Sequence, residues 1–275
     1  MKRSFIEAYK NKAIIHTDFR FTKTRVSMEK DDDCHFTGTD QKVGLLIVGE
    51  IMNAKSFRGL KTLRQAARHQ GRIGVSGAWR LWPEHASGSF TQRIGIVEAS
   101  KASNRGSHIF EIHPVTRVGD TPAYCTIRKI QKHKYVKASR AIRQFENIVC
   151  KVKTVGSKVK LTLSGFTFNY VRFIMKYHEE PIRTDDALFV KGSIHETARG
   201  KALASSQRMV FLQNTEAHRV FAERPRSGTM KVYGLPRINL DELSSRIHQN
   251  NARGRTLNWF LPYEMVIVGQ WEHHR

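Results

Sequence analysis

GRIGVSGAWRLWPEH, Gly71 to His85, reads as a β-strand that has to bend. Arg72 to Trp82 carries β-forming residues broken by glycine, and glycine inside a strand is tolerated where it permits a bulge or a tight bend. A related pattern of an apolar residue, Gly and a large apolar residue recurs at Val48-Gly49-Glu50-Ile51, Val75-Ser76-Gly77-Ala78-Trp79, Val190-Lys191-Gly192-Ser193-Ile194 and Val268-Gly269-Gln270-Trp271. The irregular spacing of these copies excludes a solenoid or propeller. Small, strongly bent barrels of the OB type need such bends. The fold expected is therefore mainly β (α+β): two small OB-like barrel units with a few short amphipathic helices.

Working outward, β-like runs are expected at Ala13–Val26, Val43–Ile51, Thr91–Glu98 and Ser107–Val118. Further runs follow at Ile148–Val155, Val159–Phe166, Tyr170–Tyr177, Leu188–His195, Arg208–Gln213, Thr229–Tyr233 and Met265–Trp271. Residues 1–12 read as a polar lead-in and Met28–Asp40 as a solvated loop. Ser56–Gly71 changes period: Leu60, Leu63 and Ala67 form one helical stripe, with Lys61, Arg64 and Arg68 beside it at i, i+3 and i+7. His133–Asn147 is a second helix with Tyr135, Ala138, Ile142 and Phe145 on its apolar face and Lys134, Lys137, Arg140 and Arg143 on its basic one. Short helices are expected at Thr215–Ala222 and Leu240–Gln249, the latter with Asn239 as N-cap and Asp241 and Glu242 in its first turn. The return from helix to strands places a boundary near Asn147, giving units 1–147 and 148–275. A chain of 275 residues is long enough for two such units.

Charge narrows the partner. Lys plus Arg number 47 against 24 acidic residues, a formal net charge of +23. Self-repulsion of that size is relieved by a polyanion, and nucleic acid gains further from counterion release. The residues expected to contact it are Lys61, Arg64 and Arg68, Arg80 and the aromatic Trp82 of the bent strand, Lys101 and Arg105 of a basic loop, Lys137 and Arg140, and Arg172. Trp79-Arg80-Leu81-Trp82 and Phe168-Asn169-Tyr170-Val171-Arg172-Phe173 interleave aromatic and basic side chains, as surfaces that stack bases do. An acidic protein is the alternative partner. No apolar run reaches the roughly 20 residues of a membrane helix, and the amino terminus has no apolar h-region. Three widely spaced cysteines make neither a disulfide framework nor a four-cysteine zinc site, so a cytoplasmic setting is expected.

The candidates for chemistry are few. In HIFEIHP, period-two alternation places Glu111 and His113 on one face, about 7 Å apart, with Pro114 read as a strand end. Glu84 and His85 follow Pro83 in the same way. These four side chains form a candidate divalent-metal set, with Glu111 and His113 as the catalytic pair of a metal-dependent nuclease or phosphodiester hydrolase. Asp31-Asp32-Asp33-Cys34-His35 lacks EF-hand spacing and reads as solvated loop. No phosphate loop, dinucleotide fingerprint or nucleophile elbow occurs. No cofactor is implied beyond that metal. Nucleic-acid binding leads, with the hydrolase and a scaffold for an acidic protein as alternatives.

Overall fold

The computed structural model describes residues 1–29, 32–85, 108–132, 134–163, 167–249 and 256–271, without the side chains of Glu84, His85 and His108. The first half comprises α1 (Arg3–Tyr9), β1 (Ile14–Phe21), β2 (Ser27–Met28), β3 (Cys34–Thr39), β4 (Leu46–Ile51), α2 (Leu60–Arg68), β5 (Arg72–His85), β6 (His108–Val118) and β7 (Thr121–Pro122). The second half runs β8 (Tyr135–Lys137), α3 (Ala138–Glu146), β9 (Val149–Val155), β10 (Lys158–Leu163), β11 (Tyr170–Tyr177), β12 (Ile182–Arg183), β13 (Ala187–His195) and β14 (Ala204–Leu212). It ends with α4 (Glu216–Ala222), β15 (Gly228–Ile238), α5 (Leu240–Gln249), β16 (Thr256–Phe260) and β17 (Tyr263–Gln270).

The same circuit is drawn twice. The first barrel closes β1–β5–β6–β4–β3–β1, with β4 and β6 parallel and the other pairs antiparallel. The second closes β11–β15–β17–β14–β13–β11, with β14 and β17 parallel. Each has one helix, α2 or α4, between its third and fourth strands. Alternation fills the barrels: in β1, Ile15, Thr17, Phe19 and Phe21 point in while His16, Asp18 and Arg20 point out.

Register extends the correspondence to single residues. Gly38 faces Phe21 and Gly192 faces Tyr177 at matching positions. A Cβ on Gly38 would strike the Phe19 ring and the Arg20 carbonyl, and one on Gly192 the Lys176 carbonyl, so both need glycine for close strand approach. Arg80 opposes Glu111 in the first barrel, and Arg237 opposes Glu264 in the second.

A three-stranded sheet, β10–β9–β16, is added beside the barrels, and the chain's first residues extend it through a bridge between Lys2 and Lys158. Helix α5 starts as its sequence requires: the Asn239 side-chain oxygen accepts from the backbone N–H groups of Asp241 and Glu242, both at 3.1 Å.

Four readings change. Residues 1–12 hold α1, whose Phe5 and Ile6 are buried. The loop expected at Met28–Asp40 contains β3, in which Cys34, Phe36 and Thr37 are buried. Prolines do not end β5 or β6: Pro83 and Pro114 lie at register shifts, where the missing N–H is tolerated. The helix expected over His133–Asn147 starts at Ala138 among the described residues, because Tyr135–Lys137 pairs as β8 with β11, and α3 packs on that second sheet. Trp82 of the first barrel meets Phe145 of α3 edge-on at 5.2 Å, and one hydrophobic core runs through both halves. The expected strand at Thr91–Glu98 lies outside the described residues.

Candidate functional site

Strands β3, β4, β6 and β5 lie side by side, and alternation decides which side chains they offer to the second half of the molecule. Phe36, Ile51, Phe110 and Ile112 fill the first barrel. The intervening His35, Glu50, Glu111, His113 and Arg80 face outward from that barrel, yet Glu50, Glu111, His113 and Arg80 are buried because the second half covers them.

Glu50 is the hub. Its carboxylate lies 3.2 Å from His35 Nε2 and 3.2 Å from His113 Nε2. His113 Nε2 also lies 2.9 Å from the Tyr170 hydroxyl of β11, and His113 Nδ1 lies 3.5 Å from Glu111. Arg80 pairs with Glu111 and donates from Nε to the Pro236 carbonyl of the second barrel at 3.0 Å. Nearby, Asp33 accepts from the Asn53 N–H at 2.8 Å and from Lys134 at 3.2 Å.

Burial would push the Glu50 carboxyl upward, but the charges of His113 and His35 override it and hold Glu50 down at about 2. Burial likewise disfavours charge on His35, and the Glu50 carboxylate outweighs it, raising His35 to about 10. Asp33 is raised, first by burial and then by the Glu50 charge. The carboxylates of Asp33, Glu50 and Glu111 therefore already face Arg80, Lys134, His35 and His113 before any ion is added.

Glu50, Glu111 and His113 each offer one ligand atom, and these atoms lie within 4.8 Å of one another. A set of two oxygens and one imidazole nitrogen suits zinc or manganese. His113 Nδ1 is buried without a hydrogen-bond partner among the described residues, and an ion would supply one. Against this stand the Arg80 guanidinium already on Glu111 and the basic groups already facing these carboxylates. Alternation correctly placed Glu111 and His113 on one face, whereas Glu50, Asp33 and His35 escaped the sequence reading. The available signal for Glu50 was a carboxylate inside the apolar run Leu45–Ile51. The side chains of Glu84 and His85 lie outside the described set; their strand position is fixed only by the pairing of His85 with His108.

The matching residues of the second barrel make a reciprocal contact. Arg237 pairs with Glu264 at 2.6 Å and donates to the carbonyls of Ala13 at 3.1 Å and Trp79 at 2.9 Å. Arg80 thus reaches the carbonyl preceding Arg237, and Arg237 the carbonyl preceding Arg80. The two arginines clamp β5 against β15.

The expected nucleic-acid contacts divide. Arg80 and Trp82 are buried, Arg80 in the clamp and Trp82 donating from Nε1 to the Phe168 carbonyl at 3.0 Å, so neither presents to a polyanion outside the molecule. Lys61, Arg64 and Arg68 are exposed on α2, with no ion pair among the described residues. Lys137 and Arg140 are exposed on the α3 side, and Arg140 lies over the Phe168 ring at 5.1 Å. Lys137 and Arg172 are register partners. Arg172 is half-buried between the rings of Tyr135 at 4.9 Å and Trp271 at 4.8 Å. Lys101 and Arg105 lie outside the described residues. No described helix is long and apolar enough to cross a membrane. Comparison with known protein families, curated proteins and solved structures found no match.

Proposed function

We propose that this protein binds nucleic acid, mainly through the phosphate backbone. The observation that carries the reading is the gathering of Lys137, Arg140 and Arg172 with the rings of Phe168, Tyr135 and Trp271 along β8, β11 and α3. Cations beside aromatic rings suit a backbone with bases laid alongside. The net charge of +23 and the exposed stripe on α2 support the same partner. In this reading the chain works in the cytoplasm, and its three cysteines are unpaired.

Binding of labelled single- and double-stranded oligonucleotides across a salt series tests it. Affinity should fall steeply and linearly on logarithmic axes, and Lys137→Gln with Arg140→Gln should make the slope shallower by about 1 for each phosphate that is no longer neutralised. An affinity flat with salt refutes the reading. A protein partner retained after nuclease treatment would favour the acidic-protein scaffold instead.

The cluster of Glu50, Glu111 and His113 favours a second reading, a metal-dependent phosphodiester hydrolase. A divalent ion there would supply Lewis-acid chemistry. This reading expects stoichiometric metal in the purified protein and cleavage lost with EDTA and with Glu111→Ala. Tight binding without cleavage or bound metal removes it.

A further inference from the structure

We infer that the outer face of the sheet β10–β9–β16 is a landing surface for a single nucleic-acid strand. The inference rests on the nucleic-acid reading above and assigns it a place that no sequence motif marked. Strand β9 alternates strictly, burying Cys150, Val152 and Thr154 and exposing Val149, Lys151, Lys153 and Val155. Register then fixes the outward rows. Lys160 stands directly opposite Lys153, and Lys158 opposite Val155. Lys2 stands opposite Lys158 across the added bridge. On the other side, Thr256 opposes Lys153, Asn258 opposes Lys151, and Phe260 opposes Val149.

Five lysines thus share one face on which no outward position of the three strands is acidic. Like charges directly opposite one another oppose strand pairing. Two such pairs, Lys2 with Lys158 and Lys160 with Lys153, persist here with no carboxylate paired to them among the described residues. Lysine on an exposed edge often only deters aggregation. That account does not reach Lys151 and Lys153, because β9 is the central strand and has no free edge.

The apolar residues of the face indicate the form of the polyanion. Val149, Val155 and Phe260 are 43%, 57% and 73% exposed. Phe260 ends the lysine rows with its ring in solvent, as a stacking platform requires. A duplex keeps its bases stacked inside, whereas a single strand can lay phosphates on the lysines and a base on Phe260. RNA and DNA strands share this chemistry.

The test uses the full chain, with fluorescence anisotropy on labelled oligouridylate, oligothymidylate and a hairpin duplex, and with co-sedimentation on anionic lipid vesicles. All altered positions are exposed, and circular dichroism checks that the variants fold. Lys151→Gln with Lys153→Gln should weaken single-strand binding about tenfold and make the salt slope shallower by about 1.4, at roughly 0.7 for each phosphate. Phe260→Ala should weaken it about 5- to 100-fold, as loss of one stacked base does, with the slope unchanged. The two single-strand probes assign RNA or DNA. If the wild type binds oligonucleotides and both variants bind equally well, the location is wrong and the broader reading stands. If the wild type binds no oligonucleotide, the broader reading fails. Preference for the duplex with Phe260→Ala silent, or binding to vesicles alone, overturns the single-strand assignment.

Discussion

Replacing Arg80 by alanine should be among the most damaging single changes to this fold. The side chain is fully buried, pairs with Glu111 and donates to the Pro236 carbonyl at 3.0 Å. Truncation strips the Arg80 charge from a carboxylate that is 2% exposed and removes one strut between the barrels. Breaking a buried ion pair costs about 3–5 kcal/mol. Losing a hydrogen bond from a charged donor costs about 1.5–3 kcal/mol, and the two overlap because one side chain makes both. The working figure is about 4 kcal/mol, a large part of a typical stability of roughly 5–15 kcal/mol. The assay is urea unfolding followed by tryptophan fluorescence. A second variant, Arg80→Met with Glu111→Leu, removes both charges at similar volume and should lose less than Arg80→Ala. A loss below about 1 kcal/mol for Arg80→Ala, or a double variant whose loss is the sum of the two singles, would refute the account of a closed ion-pair network.

Gly38→Ala should lower the melting temperature and cost about 1–3 kcal/mol, because the new methyl group meets the Phe19 ring and Arg20 carbonyl; Gly192→Ala should do the same in the second barrel. A thiol reagent should label Cys125 alone in the native protein and three cysteines in denaturant, since Cys34 and Cys150 are buried and burial pushes both thiols up to about 12. In EDTA-containing buffer, the stability contributed by His35 should be complete below its ordinary value of 6.5 and fall away as pH rises through about 10, a loss that His35→Gln abolishes. The Glu50 contribution has the opposite sign, present above 4.5 and lost as pH falls through about 2, and urea midpoints measured across pH read both.

The sequence by itself determined the properties that local pattern and composition carry. It determined the β-rich class, because glycine breaks and period-two alternation are written within single strands. It determined the face shared by Glu111 and His113, the capped helix α5 and the positive charge. Tertiary structure alone decided which strands meet, since β3, β4, β5 and β6 come together through pairings between distant segments. It therefore decided that Glu111 finds Arg80 and Glu50 finds both histidines. Polarity was the misleading signal: Asp33 and Arg80 look like surface residues to any pattern that equates charge with solvent, and each is buried because a partner from another strand or segment balances it. The bent strand Gly71–His85 was legible as a strand, but only packing against the second barrel buried its arginine.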